Sequence, residues 1–108
     1  MKRYTVRDIQ SRYKKAEKIS CLSLYDACMA GFADEAGTDL LLVGDSLGMT
    51  VLGYETTVPV TMEDCLRHAG AVVRGSSRAL VVGDLPFASY QASLELAMTN
   101  AARFLHEA

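Results

Sequence analysis

The segment Leu41-Leu42-Val43-Gly44-Asp45 returns thirty-nine residues later as Leu80-Val81-Val82-Gly83-Asp84, and no other feature of this 108-residue chain restricts its fold so far. Each copy is a short apolar run closed by Gly and then Asp. The spacing is about that of one β-loop-α unit, which parallel neighbours need because their connection must cross back over the sheet. Parallel strands buried on both faces read as unbroken apolar runs, and both copies do. The sequence therefore predicts an α/β chain with a parallel sheet, its strands at residues 19–24, 40–43 and 80–82.

Helical periods fill the gaps. Residues 27–36 carry Met29, Phe32, Ala33 and Ala36 on one stripe, with Asp26 placed to cap the start and Gly37 to stop the end. A second helix starts at Thr61, where Thr-x-x-Asp64 has the form of a capping box. Met62, Cys65, Leu66, Ala69, Val72 and Val73 follow at three-and-four spacing up to Gly75. A third starts near Ser93 and carries Leu94, Ala97, Met98, Ala101, Phe104, Leu105 and Ala108 on one face. Ahead of the first strand, residues 6–16 suit one more helix, with Ile9 and Tyr13 on its apolar side. The third helical pattern reaches Ala108 with no Gly, Asn or Pro to close it, so the chain reads as one partial domain, 1–108, truncated at its C-terminus.

Composition narrows the function classes. Half of the residues are hydrophobic and 22% are charged, which excludes disordered and fibrous chains. The net charge is −2, so there is no overall basic field to attract nucleic acid or an anionic membrane. Seven of the 11 Lys and Arg do fall in the first eighteen residues, but Asp8 and Glu17 interrupt them, as on the solvated face of a short helix. Apolar runs are far shorter than the roughly 20 residues that cross a bilayer, which predicts a soluble, cytoplasmic protein. Cys21, Cys28 and Cys65 are odd in number and lack C-x-x-C spacing, so they read as buried reduced thiols.

The chemistry gathers where the strands end. Parallel α/β folds collect their ligands at the carboxyl ends of their strands, where Asp45 and Asp84 both fall; Asp26 holds a related place after the first strand. If the second and third strands are neighbours, two like charges share one cleft. A divalent cation balances such a pair, and Mg²⁺ is typically held by one or two carboxylates while substrate oxygens and water complete its octahedron. Plain capping of the following segment is an equally physical use for either Asp. Ser46 and the turn amides of 44–48 can bind a substrate carboxylate or serve the turn alone, and Gly44-Asp-Ser-Leu-Gly48 is neither a dinucleotide fingerprint nor a P-loop. The connections at residues 45–60 and 84–92 are long enough for functional loops. His68 and His106 read as helix-surface residues; Asp34, Glu35, Glu63, Asp64 and Glu95 read as solvated or capping groups.

Val43-Gly-Asp45-Ser46-Leu-Gly-Met49, followed by Leu52-Gly53-Tyr54, Pro59-Val60-Thr61, Val73-Arg74-Gly75 and Gly83-Asp84-Leu-Pro86-Phe87 with Ser89-Tyr90, closely resembles the ketopantoate hydroxymethyltransferase family over nearly the whole chain. The resemblance implies the first three βα units of a (β/α)₈ TIM barrel of the phosphoenolpyruvate/pyruvate superfamily. It implies transfer of a hydroxymethyl group from 5,10-methylenetetrahydrofolate to 3-methyl-2-oxobutanoate, giving ketopantoate for pantothenate biosynthesis through a Mg²⁺-stabilised enolate. It assigns Mg²⁺ to Asp45 and Asp84, and substrate contacts to Asp45, Ser46 and Asp84. No catalytic residue falls on this chain, since the base, with a Lys and a Glu of the site, is expected beyond Ala108. A homo-oligomer is implied for the complete protein, and the piece alone is expected to be inactive. Two alternatives stay open: another Mg²⁺-dependent 2-oxo acid lyase or mutase of the superfamily, and a non-catalytic barrel piece that associates with itself through its sheet edge.

Overall fold

The computed structural model describes residues 2–108. In chain order it contains α1 (Val6–Lys14), β1 (Cys21–Ser23), α2 (Ala27–Glu35), β2 (Leu40–Val43), α3 (Leu47–Thr50), α4 (Met62–Gly75), β3 (Leu80–Gly83) and α5 (Leu94–Glu107). The three strands form one parallel sheet in the order β1-β2-β3. All three predicted strands are present, shorter than expected at β1 and one residue longer at β3. The helix expected over 6–16 stops at Lys14, where Lys15 caps it and Ala16 turns to a φ of 57°.

The caps behave as their chemistry requires. Met29 N–H donates to Asp26 Oδ1 at 2.8 Å, Leu96 N–H to Ser93 Oγ at 3.0 Å, and Thr61 with Asp64 forms a reciprocal box. A second box of the same form, Thr5 with Asp8, starts α1.

The core lies between the sheet and α2 and α4. Leu41 and Val43 are buried together with Ala30, Ala33, Cys65, Ala69, Val72 and Ala79. Here two expectations fail. The face α2 turns inward is Ala30 and Ala33, whereas Met29 and Phe32 are exposed, because α2 packs so close to α4 that only small side chains fit between them. At Gly75 a Cβ would stand 2.3 Å from the carbonyl oxygen of Ala27. The strands are also not all buried on both faces. β1, at one edge, is exposed along its length, and β2 alternates, with Leu40 and Leu42 only half-buried.

The same geometry corrects the cysteines: Cys65 is buried, but Cys21 on β1 and Cys28 on α2 are exposed. On α1 no residue is buried, and Tyr13 is exposed rather than packed. On α5, Phe104 and Ala108 pack against the core, while Leu94, Met98 and Leu105 stand in solvent.

Polar clamps hold the edge of the sheet opposite the strands' carboxyl ends. The Arg3 guanidinium donates to the carbonyls of Val73, Ser76 and Ala79 and to Ser76 Oγ, tying the end of α4 to the start of β3. The Asp34 carboxylate accepts the backbone N–H groups of Ser77, Arg78 and Ala79, the last at 2.7 Å. Asp39 accepts from Arg12 and from the Ser20 amide and hydroxyl. So Asp34 is a structural acceptor, not a solvated charge, and part of the basic N-terminal segment is bound into the fold.

Candidate functional site

Asp45, Ser46 and Asp84 come together at the carboxyl ends of β2 and β3. The ladder pairs Val43 with Gly83, an offset of forty, whereas the sequence echo has an offset of thirty-nine. Asp84 therefore stands opposite Gly44 rather than Asp45, and its carboxylate reaches over Gly44 to accept the Asp45 backbone N–H at 3.1 Å. A Cβ on Gly44 would meet Asp84 Oδ2 at 3.0 Å and Ser46 Oγ at 3.5 Å, so both groups converge on the space that this glycine leaves open.

Neither Asp caps a helix. The side-chain caps belong to Thr5, Asp26, Thr61 and Ser93; α5 begins ten residues after Asp84, and Ser46 makes no side-chain cap bond to α3. Among the described residues no Lys, Arg or His pairs with either carboxylate. Asp45 and Asp84, with Gly83, Leu85 and Tyr90, line an open pocket of about 450 Å³. A depression of about 510 Å³ along α1, lined by Arg7, Gln10, Ser11, Lys14 and Lys15, carries no carboxylate, imidazole or thiol and offers no comparable chemistry.

Cys65 is buried in the adjoining core. Burial, reinforced by the negative charges of Asp45, Asp84 and Asp64, pushes its thiol up to about 12, so it stays protonated. The carboxylates thus line an open pocket, and the buried thiol adds no charge to it. Two uncompensated carboxylates beside a hydroxyl suit a hard divalent cation of the Mg²⁺ type, which needs oxygen donors and takes few of them from protein. The described residues hold no cluster of three or more His, Cys, Asp or Glu, so further ligands to such an ion would be water, substrate or groups beyond these.

Two residues of the site escaped the sequence reading. Tyr25 Oη lies 2.6 Å from Ser46 Oγ, and His68 Nδ1 lies 2.7 Å from the Tyr25 carbonyl oxygen. Asp26 caps α2, as its position before that helix predicts, so of the two residues after β1 it is Tyr25 that reaches the site. His68 is half-buried and bonded across to β1's exit, not a free surface residue, whereas His106 is exposed as expected. The available signal was positional: Tyr25 leaves its strand where Asp45 and Asp84 leave theirs.

The family model for ketopantoate hydroxymethyltransferase matches residues 3–108. The chain belongs to this family. It is 57% identical over 107 residues, 99% of its own length, to the 3-methyl-2-oxobutanoate hydroxymethyltransferase of Syntrophus aciditrophicus. It is 56% identical over 107 residues, again 99% of the chain, to the protein of that name from Carboxydothermus hydrogenoformans. For the one from Ignicoccus hospitalis the identity is 54% over 101 residues, 94% of the chain. The chain spans 39%, 39% and 38% of these relatives' lengths, so ketopantoate hydroxymethyltransferases carry a further stretch that this chain does not cover. Among the described residues no helix is long and apolar enough to cross a membrane.

Proposed function

We propose that the complete protein transfers a hydroxymethyl group from 5,10-methylenetetrahydrofolate to 3-methyl-2-oxobutanoate, and that this chain supplies the first three βα units of its (β/α)₈ barrel. The observation that carries this is that Asp45 and Asp84, neither paired with a cationic side chain, line one pocket at the carboxyl ends of two neighbouring parallel strands, with Ser46 in the same turn, in a member of this family. In barrels of this type the reacting groups gather at that end.

Asp45 and Asp84 would hold Mg²⁺, their two negative charges supplying the hard oxygen donors it prefers. When bound, Mg²⁺ supplies Lewis acidity that acidifies the carbon next to the carbonyl of a 2-oxo acid. The remaining work belongs to the chain's own groups. Ser46 Oγ–H donates to the carboxylate of the 2-oxo acid and orients it over the pocket. Asp84 fixes the Asp45 amide and hence the turn that carries both Asp45 and Ser46. Cys65, kept neutral, adds no third negative charge to repel an anionic substrate. The general base is placed in the part of the protein beyond Ala108, and the 108 residues alone are expected to be inactive. A cytoplasmic location and a homo-oligomeric assembly belong to the same proposal.

The test is turnover by the full-length protein with 3-methyl-2-oxobutanoate, 5,10-methylenetetrahydrofolate and Mg²⁺. Release of tetrahydrofolate, abolished by chelation, is the expected result. Absence of release, with 2-oxo acid cleavage or rearrangement in its place, would transfer the assignment to a lyase or mutase of the same superfamily.

A further inference from the structure

We infer that Tyr25 is a positioning residue for Ser46, held in place by His68, and that its hydroxyl leaves the Ser46 proton free for the substrate's carboxylate. The inference rests on the role proposed above for Ser46. It joins three elements distant in sequence: the exit of β1, the turn after β2 and the middle of α4.

Consider Ser46 without Tyr25. Its Oγ makes no cap bond to α3, and its hydrogen can rotate about the Cβ–Oγ bond. The Asp84 carboxylate lies across the space over Gly44 from it, the two groups 3.0 and 3.5 Å from where a Cβ on Gly44 would stand, and the one hydrogen bond Ser46 Oγ makes is to Tyr25. A hydroxyl next to an ionised carboxylate turns its proton toward that charge, and a proton spent on Asp84 is not offered to an incoming anion. Tyr25 Oη is 2.6 Å from Ser46 Oγ, close enough for a strong bond between the two hydroxyls. With Tyr25 as donor it occupies a lone pair of Ser46 and restricts the hydroxyl's rotation, leaving the Ser46 proton for an incoming acceptor.

Tyr25 can do this only if its own backbone is fixed. Its ring packs against the buried core, and its carbonyl oxygen lies 2.7 Å from His68 Nδ1. A carbonyl can only accept, so Nδ1 carries the proton and the tautomer is set by this contact. α4 thereby anchors the end of β1 from the side, at a point where β1 itself is exposed and short.

The experiment uses the full-length, Mg²⁺-loaded protein and reads calorimetric binding of 3-methyl-2-oxobutanoate, with KM and kcat alongside. Tyr25→Phe keeps the ring and removes only the hydroxyl. It is expected to weaken binding about tenfold, mostly in KM, corresponding to about 1.4 kcal/mol. In a Ser46→Ala background the same change is expected to do nothing further, since the group it positions is gone. Equal losses in both backgrounds would show a general structural role and overturn the inference, as would no loss in either. Should Ser46→Ala alone leave binding intact, the role proposed for Ser46 fails first, and the inference falls with it. His68→Gln, whose amide can still donate to the Tyr25 carbonyl, is expected to retain affinity that His68→Leu loses several-fold; equal affinities would overturn the assignment of His68.

Discussion

The carboxylate of Asp84 accepts the backbone N–H of Asp45 at 3.1 Å, so one acidic residue positions the main chain of the other. This contact exists because the sheet pairs β2 with β3 one residue out of step with the sequence echo. With the two Asp in direct register, both carboxylates would have left equivalent places on neighbouring strands. The offset sets Asp84 against Gly44, and the absence of a side chain there lets its oxygen reach the next amide.

That geometry separates charge from position. Asp84→Asn keeps an oxygen to accept the Asp45 amide but removes the negative charge, whereas Asp84→Ala removes both. Asn alone is expected to weaken Mg²⁺-dependent binding of 3-methyl-2-oxobutanoate to the full-length protein by roughly a hundredfold, and Ala by more. His106→Ala, on the exposed end of α5, serves as the control and is expected to change nothing. Titration calorimetry with and without Mg²⁺ checks all three.

Gly75→Ala tests the approach of α2 to α4. The added methyl would stand 2.3 Å from the Ala27 carbonyl oxygen and 2.6 Å from its Cα, and backbone on a packed helix cannot swing aside. The expected cost is about 1–3 kcal/mol of stability. Urea unfolding of the full-length protein reads it as a lower midpoint at an unchanged m-value; an unchanged midpoint would mean the helices part freely.

Acid should loosen the polar clamps. Burial raises the Asp34 carboxyl, but the amides of Ala79, Ser77 and Arg78 outweigh it and hold the group below its ordinary value of 3.8. For Asp39 burial is likewise outweighed, by Ser20 and Arg12. A folded pKa below the unfolded one gives stability that is complete above the unfolded value and is lost as pH falls through the folded one. Thermal midpoints are therefore expected to hold from neutrality to about pH 4 and then fall. Asp34→Asn should lower the midpoint at neutral pH and flatten that fall; an unaltered profile would show that the clamp contributes nothing.

Cys65 should resist alkylation. With its thiol pushed up to about 12 and its side chain buried, almost no thiolate is present or reachable at pH 8. Iodoacetamide followed by peptide mass mapping is expected to leave Cys65 unmodified in the folded protein and to modify it in urea. Modification without denaturant would contradict the burial of the protonated Cys65 thiol in the core.

The sequence by itself determined the class and every element but the short α3, which lies inside a stretch that reads as a loop. Apolar runs closed by Gly-Asp, caps at Asp26, Thr61 and Ser93, and helical periods between them are local signals, written in neighbouring residues and readable without coordinates. It also determined which acidic residues stand at the ends of strands. Only tertiary structure decided what those residues do there. Pairing register is a relation between two distant segments, and a shift of one residue moved Asp84 from beside Asp45 to over Gly44. The same holds for Tyr25 and His68, for Asp34 as a clamp, and for the small inward face of α2: each depends on which segment lies across from it, and interhelical distance and strand offset leave no mark on a single stretch of chain.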